Sequence, residues 1–147
     1  MLSLFKAIKT EFNDPASPLY QQVTGGIYRD RRPERQAGDP PIDYPYVTVQ
    51  IESAPKQMSF GSGNSTADVA VRFIVSAAGA SGDADAGTLA ELIERTLRDK
   101  ILTLTAGQMI NCVSMHEPYS LALPRGVAIN LGDVWEWLVT LVFSVRN

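Results

Sequence analysis

Residues 134–146 read VWEWLVTLVFSVR. In an extended chain successive side chains point to opposite faces. Trp135, Trp137, Val139, Leu141, Phe143 and Val145 therefore fall on one face, and Val134, Glu136, Leu138, Thr140, Val142, Ser144 and Arg146 on the other. Period-two alternation among β-branched and aromatic residues predicts a strand. At about 13 residues it would run roughly 43 Å if straight, against about 17–20 Å for an ordinary strand. Such a strand either bends within the domain or reaches a neighbour, and an uncovered edge would invite aggregation. Trp135 and Trp137 share a face, where interface anchors are expected. The same face equally suits core tryptophans under a helix. The apolar run Val134 to Val145 holds Glu136 and is too short to cross a bilayer as a helix.

Working outward, two more stretches alternate in the same way. In Tyr46 to Glu52, Val47, Val49 and Ile51 point one way, and Pro55 is expected to end the strand. Met58 and Phe60 extend an edge before the flexible turn Gly61-Ser62-Gly63-Asn64-Ser65. In Asp68 to Ala78 the inner row is Val69, Val71, Phe73 and Val75, with Arg72 and Ser76 outside. Ile74 also sits in the outer row, which implies that this face is partly covered. Gly26 to Arg29 reads as a short strand after the break at Gly25-Gly26, and Ile110 to Pro118 as another. Tyr119 to Asn130 continues as an irregular strand around Pro124-Arg125-Gly126.

Two segments carry the helical period instead. Leu4, Phe5, Ile8 and Phe12 recur at three- and four-residue steps, and Asn13-Asp14-Pro15 closes that helix. Pro18 to Val23 reads as a further short helical turn. After a loop at Gly79 to Gly82, Ala84 to Lys100 places Leu89, Leu92, Ile93, Thr96 and Leu97 on one face. Asp83 and Asp85 at its start, and Arg95, Arg98 and Lys100 near its end, suit the helix dipole. The order of elements predicts an α+β fold: a mainly antiparallel sheet packed by an N-terminal and a central helix, with residues 1–147 as a single domain.

The 147 residues carry 45% hydrophobic and 20% charged side chains, ordinary values for a globular protein, with a net charge of −3. That balance argues against a protein that grips nucleic acid, though not against one that lets DNA pass. The N-terminal residues lack the form of a signal peptide, and synthesis in a cytoplasm is expected. One cysteine, Cys112, allows no internal disulfide and no metal-ligand spacing. One histidine, His116, lies four residues on, about 13 Å away along a strand and too far for a thiol–imidazole pair. Phosphate-loop, zinc-helix and nucleophile-elbow patterns are missing. No catalytic residue, metal site or cofactor is expected.

The most unusual stretch is Asp30 to Asp43. It is proline-rich, nearly free of apolar residues and, at about 14 residues, longer than most connections. Arg29, Arg31, Arg32 and Arg35 crowd in or beside it, matched by Asp30, Glu34, Asp39 and Asp43. A mixed-charge loop suits a protein surface better than a phosphate backbone. Protein contact, a plain solvated loop and DNA contact all remain open.

The run Gly26-Ile27-Tyr28, the polar loop, then Tyr44-Pro45-Tyr46-Val47-Thr48-Val49 resembles the tail-completion or tail-terminator proteins of tailed bacteriophages. The later pieces, Val69 to Ala78, Leu89 to Leu97 and Val134 to Val145, follow the same order. The resemblance implies a non-enzymatic virion protein. It implies a homo-hexameric ring that caps the tail tube and joins a head-completion or neck protein, with DNA passing through its channel and no membrane involved. Interface residues expected on this reading are Arg29, Arg31, Arg32, Arg35, Asp39 and Asp43 in the loop, Phe60, Ser62 and Asn64 in the turn, and Trp135 and Trp137. The alternatives are a head-completion (stopper) or other neck protein and, more distantly, a small-ligand-binding α+β domain.

Overall fold

The structure, a computed structural model, describes residues 2–58, 65–104, 109–114, 119–120 and 134–146; at 2, 53–58, 65–67, 109–114, 119–120 and 145–146 it describes the backbone alone. Helix α1 spans Leu2–Asn13, followed by β1 (Ile27–Arg29), β2 (Tyr46–Met58), β3 (Ser65–Ala78) and helix α2 (Gly82–Leu97). Then come β4 (Ile101–Thr103), β5 (Met109–Ser114), β6 (Tyr119–Ser120) and β7 (Val134–Arg146). The strands form one sheet in the order β1-β2-β3-β7-β5-β4, with β6 also on β7. Every pairing is antiparallel except β1 with β2. The fold is α+β, as the order of elements predicts.

Strand β7 is central. It pairs with β3 along its whole length, from Thr66↔Arg146 to Ala78↔Val134. Its other edge meets β5 over Leu141–Arg146 and β6 at Trp137 and Leu138. The length that looked excessive for one domain is matched by the 14 residues of β3, and β5 and β6 pair with parts of the other edge. Among the described residues, β1, β2 beyond Val49 and β4 also present edges without a strand partner.

The registers Val47↔Val75↔Trp137, Val49↔Phe73↔Val139 and Ile51↔Val71↔Leu141 put one apolar row from each of three strands on a single face. Val47, Val49, Val71, Phe73, Val75, Val139, Leu141 and Phe143 are buried there under Leu4, Ile8 and Phe12 of α1 and Ala86, Ala90, Ile93 and Leu97 of α2. Both helices thus bury their periodic stripes on the sheet face that alternation selects. The opposite face is polar in part, with Arg72 paired to Glu52 at 3.0 Å and Ser144 donating to Asp68 at 2.7 Å. Yet Thr48, Ser76 and Leu138 are also buried on it and Ile74 is half-buried, in keeping with the expected partial cover.

Several boundaries differ from expectation. Pro55 does not end β2: the pairing passes from Ser53↔Val69 to Lys56↔Ala67 through a bulge, which absorbs a residue without an N–H. Helix α2 starts at Gly82 and stops at Leu97, because Asp99 turns to φ 57° and the chain enters β4. Pro18 to Val23 makes successive turns, Tyr20 N–H to Ser17 O and Gln22 N–H to Leu19 O, without forming a helix. Strand β5 is described over Met109–Ser114, the rest of the strand expected to run to Pro118 lies outside the described residues, and β4 is an additional short strand. The turn at residues 61–64, His116 and most of the irregular strand expected over Tyr119 to Asn130 lie outside the described residues.

The tryptophans seal α2 onto the sheet. A Cβ on Gly82 would lie 2.7 Å from Trp135 Cδ1, and one on Gly87 would lie 3.0 Å from Trp137 Cζ2. The glycines let the helix approach these rings. The Trp137 indole N–H donates to Asp83 Oδ1 at 2.8 Å. A Trp137→Phe protein should lose about 1–2 kcal/mol in urea unfolding, since a hydrogen bond to a charged group disappears while most of the apolar contact remains. An unchanged midpoint would show that the bond contributes nothing.

Candidate interaction surface

Strand β1 runs parallel to the strand that follows it. Adjacent parallel strands cannot be joined by a tight hairpin; the chain must travel back the length of the strand. Residues 30–45 make that return as an irregular crossover in place of a helix. The length of the polar loop is therefore required by topology, whatever else the loop does.

The loop holds itself in shape. Asp30 adopts φ 63°, and its N–H extends the β1 ladder to Val49 O at 2.9 Å. Arg29 pairs with Asp30 at 3.5 Å on the surface. Arg35 is spent internally: its Nε donates to Pro40 O at 3.0 Å and its Nη2 to Asp39 O at 2.9 Å. Asp39 accepts the Gln36 N–H at 2.7 Å and returns its own N–H to Gln36 O at 3.1 Å. Arg31 and Asp43 are exposed and in no ion pair among the described residues. Asp43, Asp39, Arg35, Arg32 and Tyr28 line a shared cleft.

Arg32 is placed differently from its neighbours. The parallel register Tyr28↔Thr48 puts the Tyr28 ring on the helix-free face, beside Tyr46. The two rings meet edge-on at 6.1 Å, and Tyr44 tilts against Tyr46 at 5.5 Å. The Arg32 guanidinium carbon lies 5.8 Å from the Tyr28 centroid and 5.6 Å from that of Tyr46, within cation–π range of both. The Tyr28 hydroxyl donates to Gly25 O at 2.9 Å, which fixes that ring. Arg32 Nε is buried and has no hydrogen-bond partner among the described residues.

Burial holds the Tyr44 phenol above its ordinary value of about 10, reinforced by Tyr46 and Glu136 and opposed by Arg32. Because the folded value is the higher one, this contribution to stability is complete below pH 10 and is lost as pH rises through the folded value.

The proposed interface residues thus divide. Arg32, Arg35, Asp39 and Asp43 line one cleft, whereas Arg29 and Arg31 are not part of its lining. Trp135 and Trp137 sit on the opposite face of the sheet, half-buried against α2. Phe60, Ser62 and Asn64 lie outside the described residues. The tyrosine platform is the part that sequence reasoning missed. The signal was the Tyr28, Tyr44 and Tyr46 set, but only the parallel pairing of β1 brings Tyr28 beside Tyr46. Among the described residues no three metal-capable side chains converge, and no helix is long and apolar enough to cross a membrane.

No family model matches the chain, and no curated protein matches it. Among solved structures it is similar to a chain of the virion of a native gene transfer agent (GTA) particle. The TM-score is 0.63 at 16% sequence identity, covering 99% of this chain and 96% of that one. At that identity the likeness establishes a common fold.

Proposed function

We propose that this chain is a structural subunit of a phage-like particle, and within it a tail terminator. The observation that carries the reading is the near end-to-end correspondence with a chain of a gene transfer agent virion, 99% against 96%. The resemblance of the Gly26 to Val49 run to tail-completion proteins supports the finer role. On this account the chain is not an enzyme. It forms a homo-hexameric ring at the head-proximal end of the tail tube, binds a head-completion or neck protein on its other side, and passes DNA through its channel without sequence recognition. A net charge of −3 suits a channel that must not hold DNA. Ring closure requires heterologous contacts between two different surfaces of each copy.

Sedimentation velocity and negative-stain images of the purified protein test this. Six-fold rings are expected, alone or on added tail tubes. A strict monomer that leaves tube ends bare would sink the proposal.

A further inference from the structure

We propose that Arg32 of one copy receives the carboxylate of Asp99 from the next copy in the ring. The inference rests on the ring reading above and deepens it by naming a pair of residues that would close it.

Arg32 is built as a receptor. Its guanidinium is permanently charged, carries five N–H donors and is held between the Tyr28 and Tyr46 rings. Among the described residues it has no carboxylate partner, and its Nε is buried and unbonded. A buried donor without an acceptor is costly, so an incoming carboxylate gains more here than at a solvated arginine. Arg35, three residues on, is already satisfied by loop carbonyls.

The surroundings select a single carboxylate over a polyanion. Glu34, Asp39 and Asp43 line the same cleft, and Glu136 acts on Tyr44 alongside Arg32. A DNA backbone brought to this face would meet those acids as well as the arginine.

The partner surface follows from sheet order. Arg32 belongs to the β1 end of the sheet, and the other end is β4. A heterologous contact that joins unlike ends brings the α2–β4 corner to the Arg32 cleft. At that corner Arg98 pairs with Glu94 and Lys100 with Glu11. Asp99, between them, is exposed and in no ion pair among the described residues. Its φ of 57° turns it out of the helix, a conformation that aspartate tolerates better than most residues. Next to it Ile101 is 53% exposed, an apolar side chain beside the charge.

The test compares wild type, Arg32→Gln, Asp99→Asn, Lys6→Gln, and the swap Arg32→Glu with Asp99→Arg, by sedimentation velocity. Asparagine keeps the left-handed turn at 99 while removing the charge, and circular dichroism confirms that each variant folds. Arg32→Gln and Asp99→Asn should each weaken association by about tenfold or more, Lys6→Gln, at an exposed cation on α1, should leave it unchanged, and the swap should restore rings that Arg32→Glu alone abolishes. Wild-type rings with undiminished association in either Arg32→Gln or Asp99→Asn would overturn the pairing and leave the ring reading intact. So would intact rings of Arg32→Gln with weakened binding to a short DNA duplex, which would assign the site to phosphate. A wild type that never self-associates would overturn the ring reading and the pairing with it.

Discussion

Replacing Gly25 with alanine is expected to cost about 3 kcal/mol or more, large for a single methyl group. A Cβ at this position would lie 2.1 Å from the Asp43 carbonyl oxygen and 2.9 Å from that of Pro45. Both obstacles are backbone, so no side-chain rotation relieves the clash. The close approach is part of the fold: the Gly25 N–H donates to Pro45 O at 2.9 Å, and Thr24 Oγ1 donates to Tyr44 O at 2.9 Å. These bonds seat the end of the crossover loop against the entry to β1. Forcing them apart should loosen the β1–β2 pairing and the Tyr28–Tyr46 platform together. Urea unfolding measures the loss of stability, and near-ultraviolet circular dichroism reads the tyrosine packing. A cost below about 1 kcal/mol, in the range of a simple glycine-to-alanine propensity change, would contradict this account of the loop.

Phe73→Ala should be of similar or larger size, about 3–5 kcal/mol. Phe73 is fully buried in the middle of β3, between Val49 of β2 and Val139 of β7. Its removal opens a cavity where three strands and the helix layer meet, and rigid strands on both sides limit collapse. A domain of ordinary stability would be left marginal. Arg72, the preceding residue, points to the other face and pairs with Glu52 at the surface. Arg72→Ala should cost no more than about 1 kcal/mol. The contrast between neighbours tests the face assignment itself: equal costs at 72 and 73 would mean that the helix layer covers the wrong side.

That face assignment is legible in the sequence. Residues 134–146, 46–52 and 68–78 alternate strictly, and a one-residue slip would turn Phe73 or Phe143 into solvent. The stripe of Leu89, Ile93 and Leu97 gave α2 in the same way. What could not be read was which strands meet. Nothing local in Gly26 to Arg29 says that β1 lies parallel to β2, yet that pairing explains the length of the Asp30 to Asp43 loop. The same non-local step hides Arg32. In sequence it is one of four crowded arginines; in the fold it alone is stacked on two tyrosine rings, while Arg35 is absorbed by carbonyls and Arg29 by Asp30. The length of β7 left open whether the strand bends within the domain or reaches a neighbour; in the fold β3 pairs with all of it, and β5 and β6 with parts of its other edge. Trp135 and Trp137 face α2, and the glycines at 82 and 87 that admit them gave no sign of that role from spacing alone.

The proposed role puts this chain at the head-proximal end of a tail tube. Immunogold labelling of an epitope-tagged copy in intact particles reads that position. Gold should be confined to the junction of head and tail, in about the number of copies that one ring allows. Label spread along the tube, label on the head shell, or particles with none would contradict it.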